Sequence, residues 1–337
     1  DMNERTRKKL LSILRILKAA GTQPMGGADI QRALHLEGVE VSERSVRLYL
    51  EQSDREGLTE SLGRRGRLLT ERGLQELGSA HIIERLGFLS ARIDQMTFRM
   101  TFDLASRSGT VVVNTTLVPP RHLARHAANI CKVFEKGYAM GTQMALLKPG
   151  ESCGEWTVPE GHVGLATVCS ITLNGVLLKA GIPVHSRFGG LLELRRGEPI
   201  RFVDVITYEG STIDPLEVFI RSGMTNYLGA ITNGDGRIGA GFREIPAESR
   251  ERVTDLARRL HPVGLGGFLQ IGRPGQPLLE IPVSEGMAGA VVIGGLNPVA
   301  IFEEKGERVF SRALSGLIAY ERLFHYTELR ERIADFL

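Results

Sequence analysis

The sequence predicts an α+β protein, an N-terminal winged helix-turn-helix followed by an internally duplicated α+β regulatory domain. Three observations carry this reading. Within the first 80 residues, three amphipathic segments precede two short strand-like runs around a basic turn. Beyond about residue 95, glycine and proline signatures return at an offset of about 125 residues. The length of 337 residues also exceeds what one ordinary core needs. The expected division is a winged helix over residues 1–76, a helical connector over 77–96 and the duplicated domain over 97–337, with repeats at about 97–221 and 222–337.

Composition narrows the class further. Hydrophobic residues make up 42% and charged residues 24%, as in a globular protein. No apolar run reaches the roughly 18 residues of a membrane span. The basic residues 3–9 lead into an amphipathic helix instead of an apolar block, so no secretory signal is read there. Asp1 ahead of Met2 reads as a processing remnant. Cys131, Cys153 and Cys169 cannot all pair and are too few for a disulfide framework, so a reduced, cytoplasmic protein is expected. Net charge is only +3, so any nucleic-acid surface must come from local clustering of charge.

In residues 5–20, Leu10, Leu11, Leu14 and Leu17 recur at helical spacing, widened by Ile13 and Ile16 and backed by basic residues. Gly21 and Pro24 end that helix. A second fits residues 28–36, with Ile30, Ala33 and Leu34 inward. A third starts at Ser42, a good N-cap with Ser45 as an alternative, and runs to Gly57. Residues 58–61 and 68–70 then read as two strands joined by the turn Gly63-Arg64-Arg65-Gly66-Arg67. In a winged helix-turn-helix the third helix enters the major groove and the hairpin touches the adjacent backbone or minor groove. Glu43, Arg44 and Arg47 are expected outside, with Glu51 and Arg55. Arg44 and Arg47, three apart, share a face. Double-stranded DNA contacts are therefore assigned to Ser42, Arg44, Ser45 and Arg47 and to the wing residues Arg64, Arg65 and Arg67, with the turn glycines letting the backbone approach DNA. Residues 1–80 hold 14 Lys and Arg against 12 Asp and Glu, so position matters here, not local excess.

Residues 71–94 read as a helical connector broken near Gly78 and Gly87. After it, Lys148-Pro149-Gly150 recurs as Arg273-Pro274-Gly275, and residues 158–164 recur as 283–289. Gly181 matches Gly306, Ser186-Arg187 matches Ser311-Arg312, and Gly109 falls opposite Gly234. Leu173-Asn174 matches Leu296-Asn297 after a slip of two residues, and the helical segment 121–136 matches 247–261. Each unit reads strand, helix, strand and turn, then an apolar run and a basic segment. Two related lobes sharing a sheet or an interface follow, and the space between them is a natural ligand site.

Polar residues inside the apolar run 163–178 need buried partners or face a cavity. Thr167, Cys169, Ser170, Thr172 and Asn174 are thus candidate effector contacts. Alternation of Thr167, Cys169 and Ile171 would turn one side of a strand toward that cavity. His185 follows at the next turn, with Arg187 or Arg312 as the charge partner of a small anion. The string Gly234-Asp235-Gly236-Arg237-Ile238-Gly239 follows an expected strand at 227–232 and matches a dinucleotide fingerprint. Pro246 and the extra Gly241 deny it the helix that would hold a pyrophosphate. A calcium loop fails as well, since Arg237 takes a ligand position and Ile238 stands where glycine is needed. A glycine-rich turn with exposed polar groups remains. Arg273-Pro274-Gly275 is explained by the repeat rather than as a minor-groove hook. His162, Cys169 and His185 have no close ligand pair to anchor a metal. With no nucleophile elbow, catalytic carboxylate pair or P-loop, neither a cofactor nor an enzyme activity is expected.

The helix-turn-helix at 42–57 and the strings VCSITLNGVLLKAGIPV, SRFGGLLEL, TNGDGRIGAGFREIPA, GRPGQPLLEIPV and GGLNPVAIFEE, spread over nearly all of residues 160–305, resemble the NrpR nitrogen-repressor family of methanogens and its bacterial relatives. In that family an N-terminal winged helix of the ribonuclease R kind precedes an NrpR regulatory domain. The resemblance implies a homodimeric transcriptional repressor that binds 2-oxoglutarate and then releases its operator. The chain departs from some archaeal members in carrying one regulatory domain instead of two, which bears on the effector and the pathway. Two alternatives from other classes stand beside it. A small-molecule enzyme using the winged helix for assembly would turn over a bound metabolite, and an adaptor would bind an acidic protein through the wing.

Overall fold

The computed structural model describes residues 4–36, 39–84, 88–154 and 156–337, which fall into two compact units, residues 1–86 and 87–337.

The first unit contains α1 (Glu4–Ala20), α2 (Gly27–Leu36), α3 (Glu43–Arg55), β1 (Thr59–Ser61), β2 (Arg67–Leu69) and α4 (Glu71–Glu84). Its core is the stripe expected from the sequence: Ile13, Leu17, Ile30, Leu34, Val46 and Leu50 are buried together. A second cluster joins Leu10, Leu11 and Leu14 to Leu58 and to Leu77 of α4. The segment expected to be a connector therefore opens as a helix of this unit. It also runs through Gly78 without the expected break. The break expected near Gly87 lies outside the described residues. The wing is tied down at its base, because Met25 and Arg67 exchange backbone hydrogen bonds of 3.1 and 3.0 Å. Gly66, at φ +106°, leaves room for this, since a Cβ there would stand 2.5 Å from the Met25 carbonyl. Gly66 is buried in that contact, so its freedom serves the fold and not an approach of the backbone to DNA.

The second unit begins with α5 (Phe88–Arg99). It continues through β3 (Thr110–Val118), α6 (Pro120–Glu135), β4 (Gln143–Leu147), β5 (Ser152–Cys153), β6 (Trp156–Thr157), β7 (Val163–Val168), α7 (Ile171–Lys179), β8 (His185–Arg195) and β9 (Glu198–Thr207). After α8 (Pro215–Arg221) and α9 (Tyr227–Asn233) come β10 (Gly236–Pro246), α10 (Arg250–Leu260), β11 (Phe268–Ile271), β12 (Met287–Ile293), α11 (Ala300–Glu304), β13 (Phe310–Ala319), β14 (Phe324–His325) and α12 (Leu329–Ile333). Two five-stranded sheets run in the orders β13-β3-β7-β4-β14 and β11-β12-β10-β8-β9.

These orders show the duplication. By sequence offset β3, β4, β7 and β8 of the first copy correspond to β10, β11, β12 and β13 of the second. In each sheet three strands come from one copy and the neighbour from the other: β13 pairs with β3, and β8 pairs with β10. The last of the four matched strands of each repeat is thus exchanged, and the strand after it, β9 or β14, lies in the same sheet. Matched turns share backbone conformation as well, with positive φ at Gly150 and Gly275, Gly161 and Gly286, and Gly181 and Gly306. The two buried clusters of this unit each draw residues from both copies.

Two local expectations fail. Residues 227–232 are helical, with Asn226 as N-cap and Gly234 as left-handed C-cap, because that cap closes a helix before β10 begins. The apolar run 163–178 is a strand followed by a helix. Thr167 is on β7, Cys169 is in the turn and Ile171 opens α7, so they do not alternate along one strand.

Candidate functional site: a basic helix face and a buried arginine nest

On α3 the Ser42 hydroxyl accepts from the Ser45 backbone N–H at 3.2 Å, and the two hydroxyls meet at 2.9 Å. Both serines are therefore committed to the cap, within reach of which stand the exposed Arg44 and Arg47. Arg47 Nη2 lies 2.6 Å from Glu43 Oε1, an exposed pair of the kind that contributes little stability and exchanges readily for another anion. Arg64 and Arg65 are exposed at the tip of the wing. Arg67 is different. Its Nε donates to Asp54 Oδ2 at 2.9 Å, both side chains are largely covered, and Asp54 Oδ1 accepts from Thr59 Oγ1 at 2.6 Å. Arg67 joins the wing to α3 and is withdrawn from the DNA-contact set.

In the second unit two polar residues of the apolar run, Ser170 and Asn174, converge on a side chain the sequence reading did not single out. Arg243, on β10, is 1% exposed. Its Nε donates to Asn174 Oδ1 and its Nη2 to Ser170 Oγ, each at 3.2 Å. Its guanidinium stands 5.5 Å from the centroid of the Tyr208 ring. Asn174 in turn donates to Ser186 Oγ at 2.9 Å. The remaining nitrogen, Nη1, is buried with no hydrogen-bond partner. Gly241 makes the space, since a Cβ there would fall 2.6 Å from that atom.

One carboxyl, Asp214, is electrostatically coupled to this guanidinium. Burial, reinforced by the charge of Glu217, pushes the Asp214 carboxyl up to about 7, and Arg243 is the weakest of the influences opposing this. Asp214 is occupied as the N-cap of α8, accepting from the Leu216 N–H at 2.9 Å. Burial also pushes the Cys169 thiol up to about 12, so it stays neutral. A buried guanidinium with one nitrogen unpartnered is costly, and an anion supplied from outside would relieve that cost.

The structure sorts the remaining candidates. Thr167 Oγ1 is buried without a partner, opposite Asn114 on β3. Thr172 exchanges hydrogen bonds of 3.1 and 3.0 Å with the Val112 backbone, so it is a structural clamp and leaves the effector set. His185 is exposed at the start of β8 and does not join the nest. Arg187 is held by the Pro282 carbonyl at 2.6 Å and by Glu244 at 3.3 Å, while Arg312 is exposed with its guanidinium 5.9 Å from the Trp156 ring centroid. The buried guanidinium of this region belongs instead to Arg243. One signal could have found it: a charged pair, Arg243 and Glu244, inside Gly239–Ile245, where every other residue is small or apolar. Among the described residues no group of three His, Cys, Asp or Glu is arranged to hold a metal.

Helix α5 touches the region from two sides. Ser90 Oγ donates to the Tyr208 carbonyl at 3.2 Å. Arg92 Nη2 and Nε donate to the Leu314 carbonyl at 3.0 and 3.3 Å. Leu314 has φ +51° within an irregularity of β13, and its N–H donates to Asn114 Oδ1 at 3.1 Å.

A winged helix joined to a duplicated, strand-exchanged α+β domain with a buried charged nest defines a transcription regulator, not an enzyme. Family models agree part by part: residues 11–77 match the ribonuclease R winged-helix domain and residues 86–325 match the NrpR regulatory domains NRD1 and 2. The chain belongs to the NrpR family. It is 34% identical to the global nitrogen regulator NrpRI of Methanosarcina mazei, across 96% of this chain and 99% of that one. Against the global nitrogen regulator NrpR of Methanocaldococcus jannaschii it is 32% identical over 94% of its length but spans only 54% of that relative. For NrpR of Methanococcus maripaludis the identity is 31%, covering 88% of this chain and 51% of the relative. A solved nitrogen repressor-like protein from Methanococcus jannaschii superposes with a TM-score of 0.59 at 25% identity, covering 70% of this chain and 97% of its own. Among the described residues no helix is long and apolar enough to cross a membrane.

Proposed function

We propose that the chain is a homodimeric repressor that binds operator DNA through α3 and the wing and releases it when a small dicarboxylate, 2-oxoglutarate by family, enters the nest around Arg243. The observation that carries the effector reading is the unpartnered Nη1 of a fully buried arginine. Ser170 and Asn174 orient the guanidinium, Tyr208 covers it, and Thr167 supplies a further unused hydroxyl nearby in the same strand-to-helix segment. Helix α5, anchored on Tyr208 and Leu314, carries the change toward the N-terminal unit in sequence. A coupling of about 1–3 kcal/mol between effector and operator would lower operator affinity roughly 5- to 150-fold.

The test compares wild type with Arg243→Met, which keeps an unbranched side chain and removes the charge. Wild type should melt higher with 2-oxoglutarate and lose operator affinity with it. The melting temperature of unliganded Arg243→Met is the reference for its ligand shift, because losing the Arg243 donors leaves the buried Asn174 Oδ1 and Ser170 Oγ without those bonds. Arg243→Met should show no shift with 2-oxoglutarate and repress whether or not the ligand is present. A variant that still responds would remove Arg243 from the effector site.

A further inference from the structure

The exposed arc of α3 contains one side chain that its charged neighbours do not explain. Val46, Leu50 and Ser53 are buried and define the inner face. At 100° per residue, Arg44, Leu48, Glu51 and Arg55 lie opposite them and Arg47 lies on the flank, all exposed. Leu48 is 57% exposed, at the edge of an arc otherwise made of charges. It lies one turn after Arg44, in the first half of the helix. The burial of Val46 and Leu50 on the opposite side fixes this rotation, so Leu48 cannot turn inward without exposing them. A lone exposed leucine is ordinary on most surfaces. Here it occupies the part of a recognition helix that meets base edges, in a unit whose exposed cations Arg44, Arg64 and Arg65 fit a polyanion.

We infer that Leu48 is a specificity-determining residue that reads the C5-methyl group of a pyrimidine, thymine in unmodified DNA, in the major groove of each half-site. The occupant follows from chemistry. The major groove presents donors and acceptors from every base pair, and its apolar feature is the thymine methyl. A leucine pressed against any other base edge would cover polar atoms without bonding them, at a cost. Arg44, one turn earlier on the same arc, is placed to donate to a neighbouring guanine, which sets the register at which Leu48 meets its base. This rests on the DNA-binding reading above.

The test uses the full chain. Bound duplexes are selected from genomic fragments, the site is footprinted, and each thymine in it is replaced in turn by deoxyuridine, which removes only the methyl. Affinities are measured at fixed salt for wild type and for Leu48→Ala, a change at an exposed position. For wild type, one thymine in each half-site should lose about fourfold in affinity on becoming uracil, the worth of burying one methyl group. For Leu48→Ala the same replacement should change affinity less than about twofold, while replacements elsewhere act equally on both proteins. Replacing that thymine by 5-methylcytosine paired with guanine should retain the methyl-dependent part, which separates methyl reading from recognition of the A·T pair. If wild type and Leu48→Ala respond alike to every uracil, Leu48 touches no methyl and the inference falls while DNA binding stands. If no fragment is selected, the DNA-binding reading fails and takes the role of Leu48 with it.

Discussion

At the scale of single residues, burial sets the charge states that matter. Asp214 has an ordinary value of 3.8 and is raised to about 7 in the folded chain, chiefly by burial. A carboxyl raised on folding is bound to its proton more tightly in the native than in the unfolded state. Its contribution to stability is therefore complete below the unfolded value and is lost as pH rises toward the folded one, at up to about 1.4 kcal/mol per pH unit. Asp214→Asn keeps a side chain able to cap α8 and removes the titration. Denaturant midpoints measured from pH 4 to 8 should fall with pH more steeply for wild type than for the variant, and the variant should be the more stable at pH 8. Parallel curves would mean that Asp214 is hydrated in solution. The helix stripe of the first unit and the cap at Ser42 were legible in the sequence because each is a local pattern. Arg243 was not, because its partners Ser170 and Asn174 come from another repeat, some 70 residues earlier in the chain.

At the scale of elements, the exchange of β8 and β13 decides what can fold. Without the second copy β3 loses β13, and without the first copy β10 loses β8. The cores break the same way, since Val111 and Val113 of the first copy pack in one cluster with Val253, Leu256 and Val292 of the second. Fragments 87–221 and 222–337 should each be unfolded alone by amide exchange and circular dichroism, and should recover a cooperative melt when refolded together. A fragment that melts cooperatively by itself would show that the exchange is dispensable. The offset of 125 residues revealed the duplication but not the exchange. Motif order within a repeat says which strands exist, while pairing depends on where the chain between them, here β9, α8 and α9, leads the next strand. The free edge at β9 illustrates the same limit. Ile200, Val203 and Val205 are exposed there, yet the pairing with β8 skips Ile200 and Val203. Two such bulges twist an edge away from regular pairing and protect it from adding another strand.

At the scale of the whole molecule, a net charge of +3 is too small to attract DNA by itself, so affinity has to come from a few placed cations. With Arg67 held by Asp54, the wing offers Arg64 and Arg65. Each phosphate neutralised contributes about −0.9 to the slope of log affinity against log salt. The double variant Arg64→Ala with Arg65→Ala should weaken binding to every duplex, specific or not, and flatten that slope. The size of the flattening also reads the stoichiometry. If one protomer engages a site, losing two contacts flattens the slope by about 1.8, and if a two-fold dimer engages both half-sites, losing four flattens it by about 3.6. Arg67→Ala, in contrast, should lower the melting temperature of the N-terminal unit through its lost bond to Asp54. An Arg67→Ala slope change as large as that of the tip arginines would return Arg67 to the interface and place the wing differently against the duplex.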